Sequence, residues 1–108
     1  MLVKLFTAAV NGLDVRTVEA EVNISKGAKF SLVGLPDSAV RESYYRIKTA
    51  LHNSGFVLPT NQITINLAPA DIRKEGSGYD LPLSLGILAA QGAVDSNSLK
   101  RYMFVGEL

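Results

Sequence analysis

Apolar and polar residues alternate along the first third of the chain, then the period changes. From Leu2 to Val10 the alternation puts Val3, Leu5 and Thr7 on one face of a strand. Asn11-Gly12 follows, a pair that tolerates the positive φ of a two-residue hairpin turn. Leu13 to Ile24 returns as a second strand. Val18, Ala20, Val22 and Ile24 share one phase and Leu13 and Val15 the other, which predicts a bulge near Arg16-Thr17. After a polar turn around Gly27, Phe30 to Leu35 reads as a third strand, stopped by Gly34 and Pro36, so the opening is expected to be an antiparallel meander. Val40, Tyr44, Ile47 and Leu51 then recur at helical spacing, which predicts a helix capped by Asp37 or Ser38, running to about Ser54 and ended by Gly55. Gln62 to Ala68 alternates again, with Ile63, Ile65 and Leu67 inward, and Pro69 ends it.

The stretch from Arg73 to Val94 organises the rest. It opens with a charged, glycine-bearing turn and carries no charge between Asp80 and Asp95. Asp80 is expected to cap a helix whose first turn holds Pro82, where a missing N–H costs nothing. Leu81, Leu85 and Leu88 form one apolar face and Leu83, Ile87 and Ala90 another, so this helix is predicted to be sheltered on two sides, with Gly86, Ala89 and Ala90 allowing close approach. A turn at Asp95 to Ser98 and a last strand, Tyr102 to Val105, complete the order strand, strand, strand, helix, strand, helix, strand. That is an α+β plan with both helices packed on a mixed sheet.

The 108 residues suit one domain, and 47% hydrophobic with 19% charged content is ordinary for a globular protein. A net charge of +1 gives no bulk case for nucleic acid or acidic lipid, so any basic site must be local. Without cysteine there are no disulfides or thiolate metal sites. The start lacks the build of a signal peptide, and the longest uncharged run is too short to span a bilayer, so the cytoplasm is the expected compartment and no membrane partner is expected. The ending Phe104-Val-Gly-Glu-Leu leaves an apolar edge unpaired, which leads us to expect the front part of a longer protein.

Candidate chemistry is sparse. The loop Arg73 to Gly78 precedes a helix N-terminus and offers amides to an anion, but it lacks the nucleotide P-loop pattern and Asp80 would repel a phosphate, so a plain connecting turn is preferred. Ser84 is a formal nucleophile without a nearby base; a serine in an apolar helix usually bonds back to a carbonyl one turn earlier. His52 is the only histidine and makes no metal site alone. Arg41, Tyr45, Lys48 and His52 line up along one helix face, a basic and aromatic row able to follow a phosphate backbone and stack a base, or simply a solvated face. No metal-ligand or paired-carboxylate spacing stands out.

Three blocks carry a family resemblance: Phe30-Ser-Leu-Val-Gly-Leu-Pro-Asp-Ser-Ala-Val-Arg-Glu-Ser, Ile63-Thr-Ile-Asn-Leu-Ala-Pro-Ala-Asp-Ile-Arg-Lys-Glu-Gly and Tyr79-Asp-Leu-Pro-Leu-Ser-Leu-Gly-Ile-Leu-Ala-Ala. Together they resemble the N-terminal domain of the magnesium-chelatase-like AAA+ ATPases typified by ComM and YifB. The resemblance implies a Lon-protease-domain-like fold, shared with a domain of a small-subunit ribosomal protein and cut short at its C-terminal end. On that reading residues 1–108 are an N-terminal accessory domain and the motor, with its ATP and Mg, follows residue 108. It also implies a hexameric ATPase acting on DNA, ComM-type members promoting branch migration in natural transformation, with the domain's own motor and neighbouring subunits as partners. No cofactor is expected in this segment. Against Lon's Gly-Pro-Ser-Ala-Gly motif, Ser84-Leu85-Gly86 aligns but Leu83 replaces the proline. The Asp-Leu-Ala-Val-Ala pattern of the non-proteolytic Lon-like domain in RadA is the better analogue, and any partner lysine would lie beyond Leu108. The expected role is therefore non-catalytic, with Arg41, Lys48, Arg73 and Lys74 as the candidate DNA phosphate contacts. A Ser84-dependent peptidase domain and a purely oligomeric scaffold are the alternatives.

Overall fold

The computed structural model describes residues 1–108. The elements run β1 (Leu2–Asn11), β2 (Asp14–Ser25), β3 (Phe30–Val33), α1 (Ser38–Arg41), α2 (Ser43–Asn53), β4 (Gln62–Ala68), α3 (Asp80–Ala90) and α4 (Ser96–Leu99). The strands form one mixed sheet in the order β1-β2-β4-β3, antiparallel except for the parallel pair β3 and β4. The fold class is α+β, as the pattern predicts. The opening meander is not present: β3 lies beyond β4 at the sheet edge, and the chain returns from β3 through α1 and α2 to place β4 between β2 and β3. The reason is burial. Ile63, Ile65 and Leu67 of β4 are fully enclosed and suit a central strand, whereas Phe30 to Val33 is short and half-exposed and suits an edge.

Rows across the sheet, such as Val3, Val22, Ile65 and Leu32, define the inner face. The opposite face is largely polar, with Lys4 bridging Glu19 and Glu21 at 3.9 and 3.8 Å. The β1–β2 register is unbroken from Leu2 opposite Asn23 to Asn11 opposite Asp14, so the predicted bulge is absent. Val10, Leu13 and Val15 fall out of phase because the hairpin tip projects into solvent, where no core demands a phase. The turn is shifted by one residue: Gly12, at φ 61°, and Leu13 are its central pair.

Helix α3 lies over β1 and β2, with Leu83 and Ile87 wholly buried in the core. Gly86 sets the approach distance. A Cβ there would stand 2.5 Å from Val22 Cγ2 and 3.0 Å from Leu5 Cδ2. On its other side α3 packs along α2, which contributes Ile47 and Leu51 to the same core. Both helices end in Schellman motifs. Phe56 N–H donates to Leu51 and Gly55 N–H to His52; Ala93 N–H donates to Leu88 and Gly92 N–H to Ala89.

Three expectations about element ends need correction. The first predicted helix is broken at Glu42 into α1 and α2, although Asp37 does cap it, Oδ1 accepting from Val40 N–H at 2.9 Å. Asp80 is the first residue of α3 rather than its cap; its carboxylate is engaged elsewhere. Residues 102–105 form no strand. They touch β1 through a single bridge, Phe6 to Met103, because their next amides bond to the α3 region instead of to a strand.

One crossing positions the candidate site. Gly34, at φ 118°, carries the chain off β3 across Leu67, whose carbonyl oxygen would lie 2.1 Å from any Cβ at that position. Leu35 follows in the left-handed region at φ 58°. Lys74 N–H then donates to Leu35 at 3.0 Å and Asp37 N–H to Lys74 at 2.9 Å, while Asp37 Oδ2 accepts from Gly76 N–H at 3.2 Å. The loop before α3 is thereby latched to the loop before α1.

Candidate functional site

This latch brings Arg73 to Arg41. Both border one shallow depression with Leu35 and Pro36. Arg41 also borders a second, lined by Ala28, Lys29, Phe30, Tyr44 and Tyr45. Arg41, Tyr45, Lys48 and His52 are all exposed, as their spacing along the helix predicts. Inside the row lies an aromatic cluster. The Phe30 and Tyr44 rings are 4.7 Å apart and tilted, and Tyr44 meets Tyr45 edge-on at 5.3 Å. The Lys48 ammonium sits 6.0 Å from the Tyr44 ring centre. The face thus gathers Lys29, Arg41, Lys48 and Arg73 around Phe30, Tyr44 and Tyr45. Glu75 pairs with Arg73 at 3.2 Å, and Glu42 lies exposed beside Arg41 in the chain.

Of the four candidate phosphate contacts, Arg41, Lys48 and Arg73 share this exposed surface and Lys74 does not. Lys74 is wholly buried, its ammonium donating to the Pro69 carbonyl. Desolvation pushes its pKa below the ordinary 10.5, against a smaller upward pull from Asp71. The folded state therefore binds this proton less readily than the unfolded chain. Stability gained from Lys74 is fully present above about pH 10.5 and is lost as pH falls through the lower folded value. Urea unfolding at several alkaline pH values should show the parent gaining on a Lys74→Met variant as pH rises toward 10.5. A constant difference would mean that this amine is hydrated.

Ser84 is 3% exposed. Its hydroxyl donates to the Asp80 carbonyl one turn back, with Leu81 O at 3.3 Å. It borders a narrow groove of about 170 Å³ between α2 and α3, lined by apolar residues including Leu51, Phe56, Leu85 and Leu108; no lysine or histidine lines it. The helix end beyond is occupied by the chain itself: Leu81 N–H donates to Gly106 and Asp80 N–H to Ser77. With Asp80 at the same end, these residues do not fit a nucleotide phosphate.

Two further groups belong to the picture that sequence pattern does not single out. Lys29 falls in a turn that reads as plain polar connection. Arg46 is the more consequential. Its Nε donates to Asp80 Oδ2 at 2.6 Å, its Nη2 to Asp80 Oδ1 at 3.0 Å, and Nη2 also to the Ala39 carbonyl at 2.6 Å. Asp80 is fully buried and also accepts from Leu108 N–H at 3.2 Å. The hydrogen bond to Asp80 holds the Arg46 pKa above its ordinary value. A signal does exist: a lone acid opening a long apolar helix, once buried, requires a countercharge.

Comparison with known proteins places this arrangement. The family described as "Subunit ChlI of Mg-chelatase" matches residues 19–108. The chain is 45% identical over 105 residues to competence protein ComM of Haemophilus influenzae, covering 96% of this chain and 21% of that protein. It is 46% identical over 103 residues to the uncharacterized protein YifB of Escherichia coli, covering 94% of this chain and 20% of that protein. The chain therefore spans about a fifth of the length of the curated relatives it matches. No helix is long and apolar enough to cross a membrane. A match over most of the chain, joined to close identity with ComM and YifB, establishes that the chain belongs to the magnesium-chelatase-like ChlI family.

Proposed function

We propose that residues 1–108 form the N-terminal, non-catalytic accessory domain of a cytoplasmic AAA+ ATPase of this family, with a Lon-protease-like fold, and that the domain supports ring assembly and engages DNA. ATP and Mg are bound by the motor that follows, and the motor and neighbouring subunits are the domain's partners. The observation that carries the DNA reading is the convergence of Arg41, Arg73, Lys29 and Lys48 on one aromatic-bearing face of a chain whose net charge is only +1. Such cations neutralise phosphates and fix position without reading sequence.

The test uses the full-length protein with Arg41→Glu and Arg73→Glu. DNA affinity should fall, and the slope of log K against log salt should flatten by about one unit for each cation removed. Unchanged affinity and slope would remove DNA from the domain's role and leave assembly alone. Peptidase chemistry gains no support from Ser84, whose hydroxyl is spent on its own helix.

A further inference from the structure

We infer that the basic and aromatic face is a single-stranded DNA platform on which Tyr45 stacks an unpaired base. The inference rests on the DNA reading above and narrows its substrate. Tyr45 is the component that phosphate binding does not explain: the residue stays 69% exposed although its neighbours Phe30 and Tyr44 are partly covered. Tyr44 meets it edge-on, and Phe30 packs against Tyr44 in turn, so the exposed ring belongs to a cluster of three. Cations surround it. Arg41 ends α1 just before it and borders the same depression, and Lys48 follows about one turn later on α2. Lys29 borders the same depression from the β2–β3 turn, and Arg73 borders the adjoining one.

This combination distinguishes strand state. In a duplex both faces of each base are covered by its neighbours, so a tyrosine has no base face to meet and only the phosphates remain accessible to the cations. A single strand offers an unstacked base to the ring and its phosphates to the flanking cations at once. The platform reads no base identity, because every base presents a π-face.

The experiment compares the affinity of the full-length protein, without nucleotide, for a labelled oligonucleotide and for the duplex of the same sequence. Tyr45→Ala should weaken single-strand binding by about tenfold and leave duplex binding nearly unchanged. Tyr45→Phe, which keeps the ring, should bind like the parent. Equal loss on both substrates, no loss on either, or a Tyr45→Phe variant as weak as Tyr45→Ala would overturn the inference while leaving the cationic DNA reading intact. If Arg41→Glu with Arg73→Glu changes neither affinity, that reading fails and the platform fails with it.

Discussion

Replacing Arg46 by alanine is expected to destabilise the chain by about 3 kcal/mol, although the residue is charged and a quarter of its side chain is exposed. The cause lies in what remains. Asp80 is completely buried, and Arg46 supplies two of the three hydrogen bonds its carboxylate accepts. Removing the guanidinium leaves an ionised carboxylate in an apolar setting with only the Leu108 amide, and strips the Ala39 carbonyl of its donor. Adding Asp80→Asn to the Arg46→Ala variant should recover most of the loss, because a neutral amide needs no countercharge and still accepts from Leu108. Urea unfolding of the two variants and the parent measures both effects. A loss below about 1 kcal/mol for Arg46→Ala would place the pair in the class of solvated surface bridges.

Gly34→Ala should cost about as much, 3 kcal/mol or more, through two independent penalties. A side chain at φ 118° is strained wherever it sits, and here the added carbon would lie 2.1 Å from the Leu67 carbonyl oxygen, a backbone atom that cannot rotate away. Gly12→Ala separates the two. Gly12 also has positive φ, 61°, but nothing lies within 4 Å of the new carbon, so only the conformational cost of about 1 kcal/mol should appear. Equal melting temperatures for the two variants would show that β3 can shift away from β4 without penalty.

These two sites mark where the chain could be read in advance and where it could not. Burial follows period, and period is local. Val3, Leu5, Val18, Ala20, Val22, Ile47, Leu51, Ile63, Ile65 and Leu67 are inward because their spacing requires it once a strand or helix forms. Strand order is not local. The alternation of Phe30 to Val33 is satisfied equally beside β2 or beside β4, and only competition for the buried centre decides. The same holds for the site. Arg41, Tyr45 and Lys48 align by helical geometry, so their shared exposure was legible. Their union with Arg73 depends on the Leu35–Lys74–Asp37 latch, which joins segments far apart in sequence. Lys74, in a charged turn, reads as solvated, yet its backbone lies on that latch and its stem is drawn under the loop. Arg46 and Asp80 stand 34 residues apart; the lone acid calls for a countercharge, but nothing near it says that Arg46 supplies one.

The segment after α4 has a consequence for how the polypeptide is seated against the body of the fold. Phe104 donates to Phe6, Gly106 to Gly78 and Leu108 to Asp80, each alternate amide finding a different kind of acceptor. Met103, Val105 and Glu107, all exposed, donate to no group of the chain. Sliding this ribbon by one position would present the three idle amides and forfeit all three anchors together, one of them on a buried anion. Its path is therefore guarded against a one-residue slip, like a key with teeth on a single edge.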